Sequence, residues 1–287
     1  MPRQTVPSPE AALPAAQAQL QDAAQTPAGI AVLTGAGMSA ESGIATFRDA
    51  MTGLWSRFDP AALASEAGFR ADPSAVWNWY AQRREAMRRT QPNAGHHALA
   101  SFSQDHPGVL RVVTQNVDDL HQRAGSLDTI ALHGHLLADR WLDRCPRAGR
   151  GGVAQAGGGP ERDADGRTDR RTFAGAACDP ATAQPGQPPR CADCGNLLRP
   201  DVVWFGEMLP LDAMQAAQRL VDQCRVLLVV GTSGAVWPAA GLAERGRRQG
   251  AFVLIVNPEP SEIDDQAHLL LRGTAAGLLP TLLASAG

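Results

Sequence analysis

The sequence predicts an α/β fold: a Rossmann-like parallel sheet domain with a helical insertion and a small cysteine-bearing module. Three observations carry that expectation. Four short apolar runs each end at a small or polar cluster, helical stretches alternate with them, and a Cys-x-x-Cys pair follows a long glycine-rich, charged segment.

The runs are "GIAVL" (29–33) before "TGAG", "VLRVV" (109–113) before "TQN", "VLLVV" (226–230) before "GTS", and "AFVLIV" (251–256) before "NPE". Unbroken apolar strands suit a parallel sheet covered on both faces. Ligands of such sheets bind outside the carboxyl ends of the strands, so the four polar clusters are expected on one edge. Residues 93–104 and 210–223 read as helices between strands, completing an alternating β/α order. From about Pro9 the N-terminal segment 1–27 reads as one amphipathic helix, and it lacks the basic start and apolar core of a secretory signal. The main domain, 28–287, is divided by sequence into sheet-forming parts (28–49, 93–140 and 200–287), a helical insertion (50–92) and a module at 141–199. Within that module "RAGRGGVAQAGGGPERDADGRTDRR" is glycine-rich, charged and aperiodic, a composition that predicts a mobile loop.

A chain of 287 residues with 44% hydrophobic and 19% charged residues can bury a sizeable core. A formal net charge of -3 and a pI near 6.2 give no general reason to expect nucleic acid or membrane as a partner. No apolar run approaches the ~18 residues of a membrane span. Five cysteines, with one Cys-x-x-Cys pair, fit a metal site in a reducing compartment better than a disulfide framework. A cytoplasmic monomer is the expectation.

Gly35, Gly37 and Ala40 satisfy the G-x-G-x-x-G/A pattern after the first strand, which suits a tight turn and close backbone approach to a pyrophosphate. The acidic residue that a dehydrogenase carries ~20 positions later has no clear counterpart, which argues against an ordinary dehydrogenase. Cys191 and Cys194 have zinc-knuckle spacing, whereas Cys224, in "QCRVLLVV", reads as a small buried residue. In "VWNWYAQRREAM" (76–87), Tyr80, the only tyrosine, and Arg83 fall on one helical face. Taken alone, the pair is a packing contact or a ligand clamp.

In order along the chain, "GAGMSAESGIATFR" (35–48), "TQNVDDLHQRAG" (114–125), "LHGH" (132–135), "CADCG" (191–195), "VVWFGE" (202–207), "GTS" (231–233) and "NPE" (257–259) resemble the sirtuins. The match covers about residues 28–280. Sirtuins consume NAD as a co-substrate to remove acyl groups from protein lysines, releasing nicotinamide and 2′-O-acyl-ADP-ribose. The resemblance implies that Gly35, Ala36, Gly37, Ser39, Phe47 and Arg48 surround the pyrophosphate and nicotinamide ribose. It places Gln115 and Asn116 near that ribose and Asp118 at the nicotinamide carboxamide. Gly231, Thr232, Ser233, Asn257, Pro258 and Glu259 would hold the adenosine half, with Ala275 in the last cofactor-contacting loop. His133 would be the general base that takes a proton from the ribose hydroxyls, with Asn116 also at the reacting centre; a histidine can do so near neutral pH. His135 lies two residues on, and only the family motif separates the two.

The resemblance also implies one structural zinc per chain. The family normally brings two cysteine pairs, but the position three after Cys145 is Ala148. Cys178 is the replacement that would complete a set of Cys145, Cys178, Cys191 and Cys194. "VVWFGE" reads as a short strand-like run whose Val203, Trp204, Phe205 and Gly206 would pair with an extended acyl-lysine peptide by strand addition. A class III subclass of sirtuins carries Tyr-x-x-Arg, matched by Tyr80 and Arg83, at the far end of the acyl-lysine tunnel. Succinyl, malonyl and glutaryl groups end in a carboxylate that a guanidinium and a phenol can bind. Ala64 falls where the subclass keeps a small residue. The expected activity is removal of acidic acyl groups, with acetyl removal alongside. Mono-ADP-ribosyl transfer from the same pocket and a catalytically silent NAD- and zinc-binding module are the competing readings. All 26 basic residues are arginine, so the chain cannot carry an acyl-lysine of its own.

Overall fold

The computed structural model describes residues 9–44, 60–126, 128–143, 184–192 and 194–284. Phe47, Arg48, Cys145, Cys178 and the whole glycine-rich segment 147–171 lie outside the described residues. The described residues fall into two compact units, one drawn from 9–44, 90–133 and 213–284 and the other from 60–89 and 134–212. Segments 134–140 and 200–212, grouped with the sheet domain by sequence, are in the second unit.

The first unit is built on a six-stranded parallel sheet. Its strands are β1 (Ile30–Thr34), β2 (Leu110–Thr114), β3 (Ile130–Ala131), β6 (Val226–Val230), β7 (Phe252–Val256) and β8 (Leu269–Leu271), in the order β3-β2-β1-β6-β7-β8. The four apolar runs became β1, β2, β6 and β7, and β1 and β6 are buried along their whole length. β3 and β8 were not anticipated, because two or three residues carry no periodicity. The first-unit helices are α1 (Pro9–Ala23), α2 (Gly37–Ala40), α6 (Ala94–Asp105), α7 (Leu120–Ala124), α8 (Leu211–Gln223, apart from its first two residues), α9 (Gly241–Arg248) and α10 (Ala275–Leu282).

Alternation along each strand sends neighbouring residues to opposite faces. Val226, Leu228 and Val230 join a core with Ala12, Ala16, Leu20 and Ala23 of α1, Leu99 of α6 and Leu279 of α10. The α1 residues recur at spacings of four, four and three, one stripe of a helix. On the opposite face Gly246 of α9 lies so close to Leu227 and Val221 that a Cβ there would sit 2.8 Å and 3.2 Å from their side chains.

The second unit contains α3 (Pro60–Leu63), α4 (Glu66–Ala71) and α5 (Pro73–Arg89), which make up the expected helical insertion. It also contains an antiparallel pair, β4 (Gly134–Trp141) with β5 (Leu198–Val202). Arg84 joins α5 to this pair, donating to the Leu136 carbonyl at 2.7 Å and to Asp139 at 2.5 Å. The run "VVWFGE" is strand only at Val202. Beyond it the chain turns, with Glu207 N–H bonded to the Trp204 carbonyl at 3.0 Å, and the Glu207 carboxylate accepts the Trp204 N–H at 2.8 Å. That side-chain closure holds the Trp204 amide in the turn. No helix among the described residues is long and apolar enough to cross a membrane.

Candidate active site

The strand-end turns of the first unit meet backbone to backbone. Gly35 N–H bonds the Val230 carbonyl at 3.0 Å, and Gly37 N–H bonds the Gly231 carbonyl at 2.8 Å. A Cβ on Gly37 would lie 2.8 Å from Gly231 Cα, and Gly231 itself has φ 61 with Met38 N only 2.4 Å from its would-be Cβ. These glycines are therefore required by the contact between two turns, a reason the phosphate-loop pattern did not supply. Gln115 then links three strand ends. Its N–H bonds the Thr34 carbonyl at 2.9 Å, its side-chain amide donates to Thr232 Oγ1 at 3.1 Å, and its carbonyl accepts from His133 Nδ1 at 2.7 Å. Asn257 closes the edge by donating to the Thr232 carbonyl at 2.9 Å.

A carbonyl can only accept, so Nδ1 of His133 carries the proton and Nε2 keeps its lone pair. Burial pushes this imidazole below its ordinary pKa, against the opposing pull of the Gln115 carbonyl. The result is a neutral side chain with a basic nitrogen at the edge of the sheet, as a general base requires.

Beneath the turn lies a buried polar network with a defined direction. Asn93 caps α6 through its side chain, and its own N–H reaches His96 Nδ1 at 3.3 Å. His96 therefore bears its proton on Nε2, which faces Ser39 Oγ across a long 3.5 Å. Ser39 Oγ donates to Asp118 Oδ2 at 2.9 Å and accepts from Asn116 Nδ2 at 3.1 Å. Leu120 N–H supplies Asp118 Oδ1 at 3.1 Å. Burial raises the Asp118 pKa, while the Leu120 amide and Ser39 hydroxyl work the other way. His121 packs against His96 with ring centroids 4.9 Å apart and lies 3.1 Å from Thr34 Oγ1.

These residues fit a dinucleotide. Ser39, Asn116 and Asp118 are buried, and a carboxylate that accepts one bond on each oxygen keeps lone pairs for an amide ligand. Ala275 is buried at the start of α10, and its carbonyl lies 2.9 Å from the Cβ position of Gly95. Ser233 and Glu259 are held by their carbonyls, which accept from Glu262 N–H at 2.9 Å and Arg272 Nη1 at 3.0 Å. Ala36, between the two glycines, and Pro258, after Asn257, lie within the same turns.

In the second unit Tyr80 and Arg83 share one face of α5. Tyr80 is 3% exposed, and its oxygen accepts the Trp204 indole N–H at 2.9 Å. Burial raises the phenol pKa, so the group stays protonated. Its proton has no acceptor among the described residues. The Arg83 guanidinium lies over the Trp79 ring at 4.7 Å, and its buried Nε has no hydrogen-bond partner. Among the described residues Arg83 has no carboxylate partner, in contrast to Arg84 beside it. Phe205 N–H bonds the Ala64 carbonyl at 2.9 Å, so Ala64 sits against the turn that includes Val203 and Gly206. Cys191 and Cys194 occupy one hairpin end, closed by Cys191 N–H to Asn196 O at 2.7 Å and Gly195 N–H to Cys191 O at 3.0 Å. A single tight turn that presents two thiols is suited to half of a four-thiolate site. Among the described residues no group of three or more metal-ligating side chains forms.

The family model described as "Sir2 family" matches residues 35–238. The chain belongs to the Sir2 family. It is 48% identical over 255 residues to an NAD-dependent protein deacylase of Ralstonia nicotianae, covering 89% of this chain and 91% of the relative. Among solved structures it resembles a Sir2 homologue–NAD complex at 38% identity and a TM-score of 0.71, covering 92% of each chain. A Sir2–p53 peptide–NAD+ structure is 29% identical, with a TM-score of 0.66 and 91% and 94% of the two chains covered.

The Sir2 motifs thus converge on one edge of the sheet for Gly35, Gly37, Ser39, Gln115, Asn116, Asp118, His133, Thr232 and Asn257. The sequence reading missed the network behind them. His96 was visible as the fourth residue of an Asn-x-x-His spacing, a capping box with histidine in place of glutamate. Thr34, Thr114 and His121 gave no such signal, since their partners are far apart in sequence.

Burial lowers His96 to about 3 and His121 to about 4. An unfolded chain binds protons at both imidazoles below about pH 6.5, and the folded chain does so only at those lower values. Unfolding therefore takes up protons, and stability falls as the pH drops from about 6.5 towards 4. Each histidine contributes about 1.4 kcal/mol per pH unit in that window. Asp118, raised by burial, offsets part of this in the carboxylate range. Urea unfolding at about pH 7 and about pH 5 should show a loss of roughly 2 kcal/mol or more, and a flat profile would mean that these imidazoles are not held neutral.

Proposed function

We propose that the chain is an NAD-dependent protein-lysine deacylase that favours acyl groups ending in a carboxylate. The observation that carries the acyl preference is a pair of buried donors, the Tyr80 hydroxyl and the Arg83 Nε, with no acceptor among the described residues. Burying such donors without partners costs free energy. A carboxylate would satisfy both, by a charge-assisted bond from the guanidinium and a second bond from the phenol. An acetyl methyl would satisfy neither. The substrate is an acyl-lysine protein segment bound in extended form along 203–206.

The family membership and the sheet-edge geometry support the NAD half of the reading. NAD, when bound, supplies the activated ribose that receives the acyl oxygen. Asp118 and Asn116, fixed by Ser39, would orient the carboxamide and ribose of the nicotinamide end. Gly35–Ser39 would follow the phosphates, with Phe47 and Arg48 assigned to the same loop by motif. Thr232, Ser233, Asn257, Pro258 and Glu259 would take the adenosine end, and Ala275 the last loop. His133, neutral with Nε2 unprotonated, would take a proton from a ribose hydroxyl. Cys191 and Cys194, completed by Cys145 and Cys178, would hold one structural zinc with no open position for chemistry.

Substituting Arg83→Met should lower the ratio of kcat/KM for a succinyl-lysine peptide over its acetyl counterpart by tenfold or more, since a charged hydrogen bond is worth roughly 1.5–3 kcal/mol. Proportional losses on both peptides would refute the acidic-acyl reading. For the metal, elemental analysis of purified protein should find about one zinc per chain, and Cys178→Ser should release it. Full zinc retention in that variant would remove Cys178 from the set.

A further inference from the structure

The Trp204 side chain makes contacts that backbone pairing with a peptide does not use. Its indole is 2% exposed and is held on two sides. The Arg199 guanidinium stacks on the ring at 3.3 Å, and Phe69 lies at 5.4 Å, tilted by 41°. Arg199 is itself fixed by a bidentate pair with Glu207 and by donation to the Val202 carbonyl at 2.6 Å. Glu207 is shared with Arg140 at 2.8 Å and accepts the Trp204 amide at 2.8 Å. The ring has little freedom to move, and its Nε1–H points at Tyr80 Oη from 2.9 Å.

An indole N–H can only donate, so Tyr80 must accept there. A phenol whose oxygen is already engaged as an acceptor turns its own proton elsewhere. Without the indole, the Tyr80 hydroxyl could offer a lone pair to the incoming group, which would repel a carboxylate.

We propose that Trp204 is a specificity-positioning residue that polarises Tyr80, committing its hydroxyl to donate to the carboxylate of an acidic acyl group. The inference rests on the acidic-acyl reading above. It makes the selectivity a property of three side chains, Trp204, Tyr80 and Arg83, backed by the Arg199–Glu207 pair.

The test replaces Trp204 in two ways, with Phe and with β-(3-benzothienyl)alanine, which keeps the bicyclic shape but has sulfur in place of the N–H. Each is made with and without Tyr80→Phe and assayed on succinyl and acetyl forms of one peptide. In the Tyr80 background both replacements should lower the succinyl-to-acetyl ratio of kcat/KM roughly fivefold to tenfold, through a higher KM, as expected for one neutral hydrogen bond. In the Tyr80→Phe background the same replacements should leave the ratio unchanged. Proportional losses on the two peptides, or a ratio that falls equally without the Tyr80 hydroxyl, would overturn the proposal. If Trp204→Phe does not fold, the benzothienyl variant decides alone. Arg83→Met, run in parallel, separates the two failures. A ratio insensitive to Arg83 defeats the acidic-acyl reading itself, whereas a ratio sensitive to Arg83 but not to Trp204 defeats only this inference.

Discussion

The 2.8 Å hydrogen bond from Gly37 N–H to the Gly231 carbonyl joins the turn after β1 to the turn after β6 with no room for a side chain between them. Everything at the carboxyl edge of the sheet is referenced to that contact. It fixes the start of α2 and hence Ser39. It also places Thr232, on which Gln115 and Asn257 converge. Gln115 in turn sets the tautomer of His133 through its carbonyl. The parallel sheet makes this possible, because each strand delivers its following turn to the same edge.

Direction matters as much as position in the buried polar groups. Asn93 gives its amide proton to His96, and Ser39 gives its proton to Asp118. Each hydroxyl or imidazole can donate only once in such a chain, so fixing one end fixes the others. The same logic operates in the second unit, where the indole of Trp204 decides what the Tyr80 hydroxyl can do. In both places a donor that cannot accept sets the polarity of the group beside it.

Much of this was legible in the sequence, for physical reasons that differ by element. β1, β2, β6 and β7 were readable because strands buried on both faces must be continuously apolar. α1 and α6 were readable from a stripe of small and apolar residues and from the Asn93 cap. β3 and β8 are too short to show a period. The turn at 203–207 read as strand, since the Glu207 side chain that closes it acts at a distance no periodicity records. Tyr80 and Arg83 were legible as a pair on one helical face, but their unsatisfied donors were not. That property depends on Trp204, 124 residues away from Tyr80 in the chain, and on burial that only the folded unit creates. Arg83 and Arg84 are adjacent and chemically identical, and only the structure shows that one is committed to β4 while the other has no carboxylate partner among the described residues.

The acidic-acyl preference rests on a buried phenol and a half-buried guanidinium whose buried Nε has no partner among the described residues. It is tested most directly by one peptide carrying acetyl, propionyl, malonyl, succinyl or glutaryl on the same lysine, assayed with NAD for kcat/KM. The acidic groups should be removed more efficiently than propionyl, the neutral group nearest in length to malonyl. An enzyme that removes acetyl and propionyl as well as or better than every acidic group would contradict it.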